Sequence, residues 1–279
     1  MKNFKIKNCY LKNLTWLKVG GAAKLFKPES INELIEFKKH NDFFVLGAGS
    51  NIIAGEDIKK TILRLGRNFN YVRLEKDKVI SGAATLDTTL AKFALDNNIK
   101  NFEFLSVIPG TIGGGLAMNA GAYGDDISKI LDSAKVINEY GEVLTLSNEE
   151  IGFKYRGNNL PDGNIFIEAT FNVEYGNSTE IKSKMNEMIK NKQASQPIQT
   201  KTCGSIFKNP PGKSAWQLID QAGFRGFKIG KAEISSKHCN FLINNGCETS
   251  QELEELCNEV KTAVEKKFNI KLEYELIFI

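Results

Sequence analysis

The sequence predicts a chain of mixed strands and helices built of two or three sub-domains. Three observations lead there. The chain has 279 residues, more than one hydrophobic core usually serves. Strand-like apolar runs and amphipathic helical stretches alternate along it without a strict period, which speaks against a solenoid. Two glycine-dense loops each follow a short apolar run, a pattern that brings main chain close to a ligand. Hydrophobic residues make up 42% and charged residues 25%, with no tract biased towards disorder, so the whole chain is expected to fold.

The elements follow in order. Ser30 with Glu33 forms a capping box for a helix whose Ile31, Leu34 and Ile35 share a face. A short buried strand over 43–46 runs into Gly47-Ala48-Gly49-Ser50-Asn51, a turn rich in exposed N–H groups. Strands are expected near 61–65 and 79–81, a helix over 87–97, and then a glycine-dense loop over 108–124. Residues 134–146 and 166–175 read as strands around a loop holding Tyr155 and Arg156. Ser178 caps a helix with Ile181, Met185, Met188 and Ile189 inward, and 193–204 reads as a linker. Beyond it come a short helix over 215–222, a strand over 241–243, and a long helix from Thr249, boxed by Glu252. Leu272, Tyr274, Leu276 and Phe278 then alternate as one face of a terminal strand.

Charge and cysteine content narrow the function. The net charge is +4, from 37 basic and 33 acidic residues, and the lysines are scattered. That argues against nucleic acid and suits a polyanionic small substrate. Cys9, Cys203, Cys239, Cys247 and Cys257 are odd in number and contain no CxxC pair, so neither a disulfide framework nor a zinc site is expected. The lysine-rich start lacks a signal-peptide core and no run reaches membrane-spanning length, which points to the cytoplasm and away from the membrane.

Two familiar nucleotide loops fail on single residues. Gly47-Ala48-Gly49 follows a strand as a Rossmann fingerprint would, but Ile52 occupies the third glycine's place. Gly212-Lys213-Ser214 imitates the end of a P-loop, yet Phe207 stands where its first glycine belongs. What remains is the pair of glycine loops, with Pro109-Gly110-Thr111-Ile112-Gly113-Gly114-Gly115 leading to Met118-Asn119-Ala120-Gly121-Ala122-Tyr123-Gly124. One such loop can serve turns alone. Two in one domain favour a dinucleotide cofactor, with N–H groups offered to phosphates.

Four motifs together carry a family resemblance. They are Thr15-x-x-x-Val19-Gly20-Gly21-x-Ala23, Leu46-Gly47-x-Gly49-Ser50-Asn51, Ile108-Pro109-Gly110-Thr111-Ile112-Gly113-Gly114 and Asn119-Ala120-Gly121-Ala122-Tyr123-Gly124. In order and spacing they resemble the FAD-binding half of the UDP-N-acetylenolpyruvoylglucosamine reductases. Gly204-Ser205-Ile206-Phe207-Lys208-Asn209-Pro210, Leu218-Ile219-Asp220-x-Ala222-Gly223 and Leu272-Glu273-Tyr274-Glu275-Leu276 extend the resemblance through the second half. Val107 departs from the family's glycine, and Ile277 stands where some members carry arginine, so one diphosphate or carboxylate contact is expected to be missing.

The resemblance implies a vanillyl-alcohol-oxidase/PCMH-type FAD domain of two sub-domains, 1–68 and 69–177, with the terminal strand 271–279 joining the first. A smaller α+β substrate domain, 195–270, completes it. It further implies reduction of UDP-N-acetylglucosamine enolpyruvate by NADPH through non-covalent FAD, since His40 and His238 lie outside the glycine loops. Carried over residue by residue, Gly47, Gly49, Ser50, Asn51, Ile52, Pro109, Gly110, Thr111, Gly113, Gly114, Asn119, Gly121, Ala122 and Tyr123 are the expected cofactor contacts. Arg156, Ser205 and Glu275 match the catalytic positions, and Tyr155, Lys208, Asn209, Arg225 and His238 the substrate positions. The short stretch between Pro210 and the helix over 215–222 resembles the family's shorter type, which lacks an extra loop over the substrate.

The residue types suit these roles. A guanidinium offers a fixed fork of donors and stays protonated, so Arg156 can hold charge developing on a carboxylate. A serine hydroxyl can deliver a proton only when aligned with developing carbanion charge. A monomer with no metal is expected. The alternative reading is another FAD oxidoreductase of the same cofactor fold, acting on a sugar or hydroxy acid.

Overall fold

The computed structural model describes residues 4–279, which divide into two compact units. The first takes the described residues up to Lys7 with Lys24–Ala48 and Lys60–Asn191. The second takes Asn8–Ala23, Gly49–Lys59 and Lys192–Ile279. The span 69–177 expected from sequence thus lies wholly in the first and 195–270 wholly in the second, while the described part of 1–68 is shared between them.

A small parallel sheet opens the first unit, Thr61–Leu63 lying between Ala22–Phe26 and Phe43–Val45. The pairs Leu25↔Ile62 and Val45↔Leu63 fix its register. The crossover helix is α1, Ile31–His40. Its Ser30 cap accepts the Glu33 N–H at 3.2 Å, but the Glu33 carboxylate accepts from Glu29 N at 2.8 Å, so only half of the expected box forms. Phe26 and Phe37 stack at 4.1 Å in the core beneath.

A five-stranded antiparallel sheet follows, in the order Val143–Ser147, Leu131–Ile137, Ile165–Asn172, Lys78–Gly82, Val72–Glu75. Its central strand serves two cores. The register passes from Lys135↔Glu168 to Val136↔Phe166 and leaves Ile167 unpaired. That bulge changes the parity of the strand, so Ile165 and Ile167 join the core under α1 while Ala169 and Phe171 join the core under the later helices.

Those helices are α2, Asp87–Asp96; α3, Ile112–Met118; the single turn α4, Asn148–Ile151; and α5, Ser178–Ser195. The glycine-dense stretch expected as loop is therefore partly helical. A Cβ at Gly113 would come within 3.1 Å of Ala83 and one at Gly115 within 2.5 Å of Ile127, so these glycines let α3 pack closely. For α5 the cap is Asn177, one residue before the expected Ser178: its Oδ1 accepts the Thr179 N–H at 2.8 Å.

In the second unit, Ile52–Ile53 pairs in parallel with Ile277–Phe278, and a three-stranded antiparallel sheet joins Lys228–Ile229, Ala232–Ile234 and Leu242–Asn244. Helices α6, Ala215–Gln221, and α7, Gln251–Phe268, close its core around Leu218, Leu253, Leu256, Val260 and Val264. The expected box at Thr249 does not form. Ser250 N donates to Glu56 Oε1 at 2.9 Å, and the Glu252 carboxylate accepts from Lys231 N at 2.8 Å. The terminal strand is shorter than its alternation suggests, although Leu272 and Leu276 are buried as expected.

Candidate functional site

A cleft of about 440 Å³ opens in the first unit, between the ends of its two sheets. Gly47, Thr111, Gly113 and Gly114, all expected cofactor contacts, line it. Gly47 has to be glycine: a Cβ there would lie 2.7 Å from Thr111 Oγ1. Main chain therefore forms much of the wall, a shape that admits a flat ligand. Three amides of the second glycine stretch are committed internally: Ile112 N to Thr85 O and Gly113 N to Ala83 O, both at 2.9 Å, and Gly114 N to Thr111 Oγ1 at 3.3 Å. At Gly113 the absence of a side chain serves close packing against Ala83.

The remaining expected contacts of this unit form a second group. Asn119 caps α3 in the left-handed conformation and is buried, with Oδ1 accepting from Ser128 N at 3.1 Å and Nδ2 donating to Lys154 O at 3.3 Å. Gly121 and Ala122 pair with Asp126 and Asp125 in a hairpin, and a Cβ at Gly121 would meet Asp125 O at 2.4 Å. Tyr123 takes a positive φ and donates its hydroxyl to Met188 O at 3.1 Å. Pro109 and Gly110 lie lower in the loop, Gly110 O accepting the Asp87 N–H at 3.2 Å.

Arg156 joins that group. Its φ of 55° turns the chain sharply, its Nη2 donates to Gly121 O at 3.0 Å, and its guanidinium lies 5.1 Å from the centre of the exposed Tyr155 ring. One expected catalytic residue and one expected substrate residue are thus anchored to the hairpin of expected cofactor residues.

The second unit brings together Ser205, Glu275 and Asn51. Ser205 bridges Phe241, and the next residue, Ile206, accepts the amides of Glu275 at 2.9 Å and Leu276 at 3.3 Å. Asn51 donates from Nδ2 to Glu275 O at 2.8 Å and accepts Ile277 N–H at 3.1 Å. Asn51 and Ile52 are thereby tied into the strand pairing with the C-terminus. Gly49 precedes them with a positive φ, where a Cβ would lie 2.1 Å from Leu14 O, and half-buried Ser50 completes the turn.

The expected substrate residues of this unit carry different commitments. Lys208 is half-buried, 3.9 Å from Glu273. Asn209 accepts the Ala215 N–H at 2.9 Å at the start of α6. Arg225 makes a bidentate pair with Asp220, at 2.8 and 2.6 Å, and also donates to Ser236 O at 2.6 Å. Three of its N–H groups are thereby engaged. His238 packs 4.7 Å from the Phe241 ring and accepts the Asn240 N–H at 3.3 Å, and burial lowers its pKa.

Two residues escaped the sequence reading. Asn240 is buried and brackets Phe207, accepting its N–H at 3.0 Å and donating to its oxygen at 2.8 Å, which fixes the main chain after Ser205. No motif signals a lone asparagine. Asp87 is fully buried with neither carboxylate oxygen hydrogen-bonded, and burial pushes its pKa up to about 8. Among the described residues no cluster suits a metal ion, and no helix is long and apolar enough to cross a membrane.

Comparison with known proteins bears on the whole chain. Residues 196–279 match the family described as UDP-N-acetylenolpyruvoylglucosamine reductase, C-terminal domain, and residues 22–147 match an FAD binding domain. The UDP-N-acetylenolpyruvoylglucosamine reductase of Rickettsia bellii is 48% identical over 277 residues, covering 97% of this chain and 92% of the relative. That of Anaplasma marginale is 44% identical over 271 residues, covering 96% and 91%. The chain belongs to the UDP-N-acetylenolpyruvoylglucosamine reductase family. A crystal structure of the family's protein from Thermus caldophilus superposes with a TM-score of 0.89 at 32% identity, covering 99% of each chain. The fold is therefore the α+β FAD-binding architecture that the resemblance implied, and the protein is an FAD-dependent oxidoreductase. The cleft fits that cofactor: glycine at position 47 leaves room that a Cβ would fill, and three cations but only one carboxylate line the walls.

Proposed function

We propose that this protein reduces UDP-N-acetylglucosamine enolpyruvate to UDP-N-acetylmuramate with NADPH as reductant, in the synthesis of peptidoglycan precursors. The observation that carries the reading is the agreement of full-length family membership with the framework around Ser205, where Ile206 and Asn240 hold the serine's segment against Glu275. FAD held in the cleft would supply the relay of hydride from NADPH to the methylene carbon of the enolpyruvyl ether.

The chain's own residues manage charge and protons. Arg156 holds the substrate carboxylate as negative charge builds on it, and Glu275 assists in stabilising that enolic species. Ser205 delivers the proton to the carbon next to the carboxylate, and its hydroxyl is replenished from solvent. Tyr155, Lys208 and Asn209 bind the sugar nucleotide, Lys208 by charge on the diphosphate. Arg225 and His238 are further substrate contacts, Arg225 while paired with Asp220 and His238 while accepting the Asn240 N–H on Nδ1. The first unit contributes Gly47 and the segments Pro109–Gly114 and Asn119–Tyr123 as contacts for FAD, and the second contributes Gly49, Ser50, Asn51 and Ile52. We assign the protein to the cytoplasm, acting as a monomer and without nucleic acid.

The test is turnover with product analysis. NADPH oxidation that depends on the enolpyruvyl substrate, yielding a product two hydrogens heavier, supports the reading. NADPH oxidation unaffected by that substrate but stimulated by another sugar or hydroxy acid would assign a sister oxidoreductase.

A further inference from the structure

We propose that Tyr274 is a positioning residue for proton delivery, its side chain pinning the segments that carry Ser205 and Glu275 to helix α7, an inference that rests on the reaction proposed above. Tyr274 sits in the middle of the contact between those segments. On either side of it the main chain is paired: Lys208 N donates to Glu273 O at 2.8 Å, and Glu275 N to Ile206 O at 2.9 Å. Tyr274 itself bridges Phe207, two residues after Ser205. Backbone pairing of two such short segments is weak on its own, so what holds the pair to the rest of the unit decides how still it is.

The Tyr274 side chain supplies that hold. Its ring stacks on Phe207, with centroids 4.9 Å apart and planes at 23°, and meets Phe278 edge-on at 4.8 Å. Its hydroxyl donates to Asn258 Oδ1 at 2.9 Å, and Lys261 Nζ lies over the ring, 4.8 Å from its centre. Asn258 and Lys261 are one turn apart on α7, so a single face of that helix takes both the polar tip and the ring. The helix is itself seated in the core by Leu256, Val260 and Val264. Burial pushes the Tyr274 hydroxyl pKa up to about 12, so the group remains a donor across the neutral range. Glu275 is the next residue in the chain, and Ser205 lies two residues before the stacked Phe207, so a ring that loosens lets both move. Misplacing a reacting group by about 1 Å can cost on the order of 10²-fold in rate.

The test is stopped-flow absorbance on the flavin-loaded full-length protein, following reduction by NADPH and then reoxidation by saturating UDP-N-acetylglucosamine enolpyruvate, in H2O and in D2O. Tyr274→Ala is expected to slow reoxidation by roughly thirtyfold and to enlarge its solvent isotope effect, with flavin reduction within about twofold of wild type. Tyr274→Phe keeps the stack and loses only the hydroxyl, and is expected to recover reoxidation to within about threefold of wild type. Asn258→Ala with Lys261→Ala alters the helix while leaving Tyr274 and Phe207 in place, and keeps the test open should Tyr274→Ala fail to fold. That double variant is expected to slow reoxidation by about fivefold. Reoxidation within about twofold of wild type in the double variant, or equal losses in both half-reactions of Tyr274→Ala, would overturn the assignment. A wild-type protein whose reduced flavin is not reoxidised by this substrate would instead overturn the reaction on which it rests.

Discussion

The amide of Glu275 donates to the main-chain oxygen of Ile206 at 2.9 Å, so Glu275 is fixed to the residue directly after Ser205. Two groups 70 residues apart in sequence thus share one short backbone ladder, which Phe207↔Tyr274 continues. Position matters more than acidity for a serine that delivers a proton, and this ladder supplies position.

Replacement of Ser205 by alanine is expected to separate the two half-reactions. Reduction of the bound flavin by NADPH should stay near the wild-type rate, while reoxidation by the enolpyruvyl substrate slows by roughly 10³-fold. Stopped-flow absorbance resolves the two steps. Equal loss in both would remove Ser205 as the proton donor.

Arg156→Lys keeps the charge but not the fork. A single ammonium cannot reproduce the planar fork of parallel donors, so a fall of roughly 10²-fold in kcat/KM for the enolpyruvyl substrate is expected. The rate of flavin reduction by NADPH serves as the internal comparison. Wild-type kcat/KM in this variant would take Arg156 off the catalytic list.

Asn240→Ala removes both hydrogen bonds to Phe207 and leaves a buried N–H and C=O unpaired. A loss of about 1–3 kcal/mol in unfolding free energy is expected, together with a lower rate of flavin reoxidation. Denaturant unfolding and stopped flow check the two parts. Unchanged stability with unchanged reoxidation would show that the Ser205 segment is held by other contacts.

Asp87 gives stability a pH dependence of definite sign. Its folded pKa is raised to about 8 from an ordinary 3.8, so the folded state keeps a proton that the unfolded chain gives up. Stability is therefore lost progressively as pH rises from the ordinary carboxylate range, and the loss levels off above about 8. Asp87→Asn removes this term, so the gap in unfolding free energy between variant and wild type, and with it the gap in Tm, should move in the variant's favour between acid and mildly alkaline pH, the free energy by roughly a few kcal/mol. Parallel Tm curves across that interval would place the ionisation elsewhere.

How far the sequence spoke depended on the kind of signal. Periodicity located α2, where the expected 87–97 is observed as Asp87–Asp96, because one apolar stripe faces one sheet. Helix starts were less legible. Ser30 caps α1, yet Asn177 replaces Ser178, and the Thr249 box gives way to Glu56 and Lys231 because tertiary partners outbid local ones. The glycine stretch over 108–124 was visible as a motif but not as a helix, since intrinsic propensity disfavours glycine and only the close approach to Ala83 and Ile127 rewards it. Within the site, motifs named Ser205, Glu275 and Arg156, whereas the cleft's cations Lys27, Arg64 and Arg67 carry no motif and emerge as a group only when two strand ends meet.

The central claim is that reduced flavin in this protein is reoxidised by the enolpyruvyl sugar nucleotide. Its most direct test is the absorbance spectrum of the purified protein under anaerobic conditions, first with NADPH and then with UDP-N-acetylglucosamine enolpyruvate. The account predicts a flavin spectrum that bleaches with NADPH and returns on addition of that substrate. A flavin that bleaches with NADPH and stays bleached in its presence would contradict it.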